Sequence, residues 1–329
     1  MKIAFTSELP NRGKVGRDHH NMRTEFAWMC KLEAEHYPID AGASIQGYDL
    51  VVVIIPKGLV FKNAVGVRMN PQEKNPISDF LAYDFIEMLK SNNKKVAYMQ
   101  EGPCWLFNDY DVPEQINFYN QLSKTDMILA HNKSDVKFYK GLFPGKKVFD
   151  MRTLMITDNV DGQNGPKLDK TIIGGNFARW YGGFQSFAVA SHFGNKIFAQ
   201  TSHAMMPDES RIEEIEHLPR MVWTEWMRTL STFKYAVHLM PTVAAGTFSL
   251  NCAYWGIPCI GNQKVDTQRI CFPDLSVEND DVEKAVDLAV KLRDEENFRN
   301  DVSEKAKELY KKEYSEDVWL KNFMRNYEQ

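Results

Sequence analysis

The segment from Tyr235 to Gly261, YAVHLMPTVAAGTFSLNCAYWGIPCIG, constrains the fold more than any other part of the chain. A short apolar run ends at Pro241. A turn of small residues follows (Ala244, Ala245, Gly246, Thr247), then a helix-length segment, Gly256, Pro258 and a second apolar run. That order predicts strand, tight turn, helix and strand, the parallel βαβ unit. No bulky side chain stands where the turn enters the helix. The N–H groups of Gly246, Thr247 and Phe248 can therefore come close to an anion, which the helix dipole favours. In an open α/β sheet such a turn lies at the carboxyl ends of the strands, where ligands bind. A phosphate-bearing ligand is the first expectation.

The rest of the chain repeats the alternation. Lys2–Thr6, Asp49–Ile55, Lys95–Met99, Met127–Ala130 and Lys147–Phe149 read as buried parallel strands. Helices are predicted over Asn21–Leu32, from a Ser78 cap to Lys90, and over Gln115–Leu122 and Lys133–Leu142. From Asp158 to Asp169 the chain is turn-rich and poor in apolar residues, the best linker it contains. Strands then resume at Thr171–Ile173, Lys196–Ala199, Tyr235–Leu239 and Cys259–Ile260. The end reads as helical over Asp281–Arg293, Asn300–Tyr314 and Ser315–Tyr327. A length of 329 residues suits two domains. The expected organisation is residues 1–157, a linker over 158–169, residues 170–314, and a terminal helix over 315–329. The fold class is α/β, with doubly wound parallel sheets.

Composition narrows the function. A formal net charge of -4 predicts no strong global attraction to nucleic acid, while leaving room for a local basic groove. The five cysteines are widely spaced with no C-x2-C pair, so neither a zinc site nor a disulfide framework is expected. The start, MKIAFTSELP, reads as a strand rather than a signal peptide, and no stretch reaches the roughly 20 apolar residues of a membrane span. The cytoplasm is the expected location.

Four loops at predicted strand ends carry candidate chemistry. Glu8–Glu25 is Gly-containing and basic, and offers Gly16, Arg17, Asp18, His19 and His20; it reads either as a ligand loop or as a solvated one. His19 and His20 are adjacent, would point apart on a strand, and make no metal pair by themselves. Gln100–Trp105 places Glu101 at the end of a strand with Trp105 nearby. A partly buried Glu101 could take a proton from an attacking hydroxyl, or it could cap the next turn. His131 holds the equivalent place one strand on, as a ligand contact or a core histidine. In Gly174–Gly183 two glycine pairs flank Asn176, Arg179 and aromatics. Glycines allow close backbone approach, and Arg179 can pair with a phosphate. Lys264 follows the last strand and would face the same ligand. Met205, Met206 and Trp223–Trp226 read as packing.

The two α/β halves, the linker, the Gly-rich turn opening each half, the late P-T/S…G…A-x-x-G-x-P unit and the terminal helix together resemble a GT-B glycosyltransferase. At motif level the resemblance rests on Pro241–Gly261 and Gly174–Gly183. It implies two Rossmann-like domains facing a central cleft, a terminal helix from Ser315 that returns to the first of them, and metal-independent transfer of a hexosyl or pentosyl group from a nucleotide diphosphate sugar to an acceptor hydroxyl. The nucleotide sugar is a co-substrate, and no cofactor is implied. Gly174, Gly175, Asn176, Arg179, Gly246, Thr247, Phe248, Asn251 and Lys264 would then hold the donor. Gly16, Arg17, His19, His20, Trp105 and His131 would hold the acceptor, with Glu101 or Asp18 as base. The acceptor would be a glycan or a hydroxymethylated DNA base, the latter not favoured by net charge. The pattern departs from the main retaining group. Its E-x7-E carboxylates would fall at Val243 and Asn251, and neither is acidic. That leaves two alternatives, a non-catalytic nucleotide- or glycan-binding scaffold and a nucleotide-sugar epimerase.

Overall fold

A computed structural model describes residues 1–7, 12–55, 85–100, 102–109, 112–160, 162, 164–178, 180–200 and 208–328. It divides into two compact α/β units.

The first unit comprises Met1–Gly16, Glu25–Arg152 and the chain from Asn322 onward. Its elements are β1 (Ile3–Ser7), β2 (Gly13–Lys14), α1 (Thr24–Lys31), β3 (Glu35–Pro38), β4 (Leu50–Ile54), α2 (Phe85–Asn92), β5 (Val96–Met99), α3 (Val112–Lys124), β6 (Met127–Ala130), α4 (Lys133–Leu142) and β7 (Lys147–Asp150). They build one sheet in the order β2-β3-β1-β4-β5-β6-β7, parallel except for the short edge strand β2. β1, β4, β5 and β6 are buried at every position, which is why they read as continuous apolar runs rather than alternating ones. Val51 and Val53 of β4 suit the pleat and pack with Tyr98 and with Phe118 and Leu122 of α3. Asn132 caps α4, its Oδ1 accepting from Asp135 N at 2.8 Å.

The second unit comprises Arg17–Thr24 and Thr153–Lys321. It contains β8 (Leu168–Ile173), α5 (Gly183–Ala190), β9 (Lys196–Gln200), β10 (Ile215–Leu218), α6 (Trp223–Ser231), β11 (Phe233–His238), α7 (Thr247–Trp255), β12 (Cys259–Asn262), α8 (Asp266–Cys271), β13 (Ser276–Val277), α9 (Val282–Asp294), α10 (Glu296–Tyr314) and the start of α11 (Glu316–Glu328). The sheet runs β10-β9-β8-β11-β12-β13, parallel throughout. In order of appearance that is 3-2-1-4-5-6, the doubly wound order. Its strand order reverses between β8 and β11, and ligands of such sheets bind at that reversal.

Most predicted elements are present with shifted ends. β2, β3, β10 and β13 carry no apolar run and are edge or near-edge additions. The predicted helix from Ser78 survives as α2 within the described residues; positions 78–84 lie outside them. The units part between Arg152 and Thr153, because Thr153–Ile156 pairs with the Arg17–Thr24 segment. Thr24 N donates to Leu154 O, Ile156 N donates to Met22 O, and Arg23 and Met155 form an antiparallel bridge.

Candidate functional site

At the reversal of strand order in the second unit, residues from three elements meet. Ile173 at the end of β8 lies beside Val237 of β11, and Gly174 N donates to Val237 O at 2.9 Å. Gly174 therefore stands next to His238, the last residue of β11. A Cβ on Gly174 would lie 2.6 Å from His238 Cγ and 2.7 Å from Phe248 Cδ1, so only glycine permits this approach. Phe248 is the second residue of α7, and its ring meets the His238 ring edge-on at 5.0 Å. The β8 turn, the β11 end and the α7 entrance thus converge on one point.

The α7 entrance is held open by its backbone. Gly246 adopts φ +69°, a left-handed conformation that side chains resist, and its carbonyl accepts from Thr267 Oγ1 of α8 at 2.7 Å. Thr267 Oγ1 also bonds Ser249 Oγ at 2.7 Å. A Cβ on Gly246 would fall 2.0 Å from Thr267 Oγ1. The first-turn N–H groups that follow have no preceding helical carbonyl to bond. Together with the helix dipole they make an anion site. The entrance of α5 lies at the end of β8, and Ser186 Oγ of its first turns accepts from Leu239 N at 2.9 Å. Asn176 is buried and its Oδ1 accepts from Ala178 N at 3.1 Å, which folds the glycine turn back on itself.

The sequence presents His238 only as part of an apolar strand. Part of the residue reaches solvent, but its Nε2 does not, and no described group bonds it. Burial lowers its pKa to about 4, so the ring is neutral near pH 7. The one signal available beforehand is a polar residue closing an otherwise apolar strand.

Several sequence-derived assignments change. Asn251 does not face a ligand. It is 1% exposed, its Oδ1 accepts from Trp226 Nε1 at 3.0 Å, and its Nδ2 lies 3.3 Å from Met155 Sδ. Both ends of the amide are spent on core packing. Lys264 is exposed and pairs with Glu278 at 2.9 Å, which raises its pKa; the structure brings it to that carboxylate rather than to the glycine turn. Arg17 pairs with Glu316 at 2.8 Å and also with Asp158. Its guanidinium is thereby occupied, and the hydrogen bond to Glu316 raises its pKa. His19 and His20 lie in a turn rather than a strand, so their rings approach to 4.1 Å instead of pointing apart. His19 Nδ1 is within 3.2 Å of Asn21 N, and burial lowers its pKa. The His20 carbonyl accepts from Trp223 N at 2.8 Å. Asp18 beside them is exposed. Arg17–Thr24 thus belongs to the second unit, and Gly16 to the first.

In the first unit, Gln100 Oε1 accepts from Tyr98 Oη at 3.0 Å and from Tyr139 Oη, while its Nε2 donates to Gly102 O at 2.8 Å. Burial, then Asp135, raises the Cys104 thiol to about 12. These bonds fix the turn leading to Trp105, which is half-buried. His131 is 5% exposed, with its ring edge-on to Trp28 at 5.2 Å. Burial takes its pKa to about 4 against carbonyls of Met151 and Gln100. The structure places it in the core of the first unit. Glu101, Arg179, Met205 and Met206 lie outside the described residues. Trp223 and Trp226 are buried, as expected of packing residues. Among the described residues no three His, Cys, Asp or Glu side chains could share a metal ion, and no helix is long and apolar enough to cross a membrane.

No family model matches the sequence, and no curated protein matches it at a significant level. Solved structures do resemble it. An alpha-glucosyltransferase in complex with UDP and a DNA 13-mer containing an HMU base matches with a TM-score of 0.65 at 12% identity, over 100% of both chains. Sucrose-phosphate synthase from Thermosynechococcus elongatus matches with a TM-score of 0.62 at 10% identity, over 100% of this chain and 98% of that one. S. aureus TarM, in complex with UDP, matches with a TM-score of 0.58 at 11% identity, over 85% of this chain; the match spans about half the length of TarM, 55%. At such identities the likeness shows the fold. It is the GT-B fold of two Rossmann-like units.

Proposed function

We propose that this chain is a glycosyltransferase that moves a sugar from a nucleotide diphosphate sugar to an acceptor hydroxyl. The observation that carries the reading is the meeting of Gly174, His238, Phe248 and the Gly246 turn at the strand-order reversal of the second unit. That point offers bare backbone donors and two helix entrances to an anion, and the fold is shared with structures that contain UDP. Leaving-group charge grows on the diphosphate as the glycosidic bond breaks. Oriented N–H groups of Thr247 and Phe248 stabilise that charge without reorganising. A helix dipole and the proposed Arg179 do this work without metal or cofactor. Glu101 is proposed as the proton acceptor if the transfer inverts configuration. Both assignments rest on the sequence.

A DNA acceptor is the second reading. It is favoured by the full-length likeness to a glucosyltransferase bound to DNA with an HMU base. The first reading remains any hydroxyl acceptor, glycans included, and the proposed setting is the cytoplasm.

Thermal shift against UDP-, GDP-, ADP- and CMP-sugars, followed by assay of labelled sugar release, tests the proposal. A cognate donor at 100 times its Kd stabilises the folded protein by about 2.7 kcal/mol. Slow donor hydrolysis should accompany binding and speed up as transfer when an acceptor is supplied. Binding without hydrolysis or transfer would favour the scaffold reading. Donor interconversion without acceptor would favour an epimerase, and no shift with any nucleotide would end the proposal.

A further inference from the structure

His238 Nε2 is a buried polar atom at the candidate site that neither the fold nor the packing explains. A residue closing β11 has only to fill the space over Gly174, and phenylalanine or leucine would fill it. Instead the position holds an imidazole whose Nε2 is enclosed and has no partner among the described residues. Leaving a ring nitrogen dry and unbonded costs stability. Such a cost inside a ligand site is a mark of function.

The ring geometry says what the nitrogen is near. The Cγ–Cδ2 edge faces Gly174, at 2.6 and 2.8 Å from where a Cβ would stand, and Nε2 is bonded to that same Cδ2. Phe248 packs on the ring from the first turn of α7. Nε2 therefore lies at the seam between the glycine turn and the helix entrance. Among the described residues, the elements packed on it bring no charge. Gly174 follows β8, Phe248 is the second residue of α7, and Gly261 of β12 lies against the His238 carbonyl. Burial alone keeps the ring neutral.

We propose that His238 is a donor-binding residue, whose Nε2–H bonds an oxygen of the diphosphate when the seam opens to admit it. The proposal rests on the donor site placed at the α7 entrance, and it adds a side chain to a site otherwise made of backbone. It has a consequence that a packing role lacks. An anion against Nε2 favours the imidazolium, so binding must raise the pKa of His238 and take up protons. Affinity should then strengthen as pH falls through the bound-state pKa toward the free-state value of about 4.

Imidazole nitrogen NMR on the full chain, with and without UDP-glucose, reads this directly. The probe suits the purpose because its doubly esterified diphosphate does not titrate in this range. Free protein should show a neutral His238 down to about pH 4. Saturation should move its titration up by one unit or more and fix the Nε2–H tautomer. His238→Phe keeps an aromatic ring and should weaken UDP-glucose about tenfold while leaving uridine unaffected. His238→Gln, which presents an amide near the Nε2 position, should recover most of the affinity and lose the proton uptake. Saturable binding with His238 signals unmoved, or a folded His238→Phe that binds as the parent does, overturns the proposal and leaves the donor site standing. If His238→Phe fails to fold, the titration of the parent protein decides alone. Failure of any nucleotide sugar to bind removes the donor site itself.

Discussion

Gly246→Ala isolates what the open helix entrance depends on. The φ of +69° costs a β-carbon about 1–2 kcal/mol by itself. The new methyl would also stand 2.0 Å from Thr267 Oγ1 and 2.7 Å from Val265 Cγ1. Relief of such overlaps inside a packed region costs about 1–3 kcal/mol more. The single change should therefore destabilise the second unit by roughly 2–5 kcal/mol, several degrees in Tm. Thr267→Ala removes the colliding hydroxyl, and with it the bonds to Gly246 O and Ser249 Oγ, at about 1 kcal/mol each. If the collision with Thr267 outweighs the other costs, the double variant should be more stable than the sum of the singles predicts by about 1–3 kcal/mol, leaving the backbone strain behind. Calorimetry of the full chain, following the transition of the second unit, measures the coupling. Additivity within about 0.5 kcal/mol would refute the reasoning, since it would mean that the α8 hydroxyl does not set the geometry of the turn.

Three further outcomes are expected. Trp226→Phe strands the buried Oδ1 of Asn251 and should cost about 2 kcal/mol in calorimetry, while donor affinity by titration stays within twofold. His131 and His238 are held neutral, with pKa values near 4 against about 6.5 unfolded, so the unfolded chain binds more protons below pH 6.5 and stability must fall there with falling pH. Each contributes a loss of roughly 2 kcal/mol between pH 6.5 and 5, and half-buried His19 adds a smaller one in the same direction; urea melts of His131→Phe should show about half the slope of the parent in that window. Arg17→Ala removes an exposed pair with Glu316 and Asp158 and should change stability by less than about 1 kcal/mol, with the effect fading in high salt.

The β8–β11 centre of the second unit was legible because parallel strands buried on both faces are spelled as unbroken apolar runs. The Gly246 turn was legible because small residues at a strand-to-helix junction have few other uses. β3 and β10 were not, since EHYP and IEHL near a sheet edge carry polar residues and show no run. Asn251 misled because its amide pairs with Trp226, 25 residues away, a partner no local pattern reveals. Arg17, His19 and His20 were basic residues in a loop by sequence. Their fixation against Asp158, Glu316 and Trp223 depends on long-range pairing of the Arg17–Thr24 segment. His238 was missed because one polar residue at a strand end looks like an ordinary boundary. Only the absent Cβ of Gly174, seen in three dimensions, gives it a place.

A crystal structure of the chain with UDP-glucose bound tests the central claim most directly. The diphosphate should lie within hydrogen-bonding distance of the Thr247 and Phe248 N–H groups, beside Gly174. A nucleotide seated elsewhere, with the α7 entrance empty, would contradict the account.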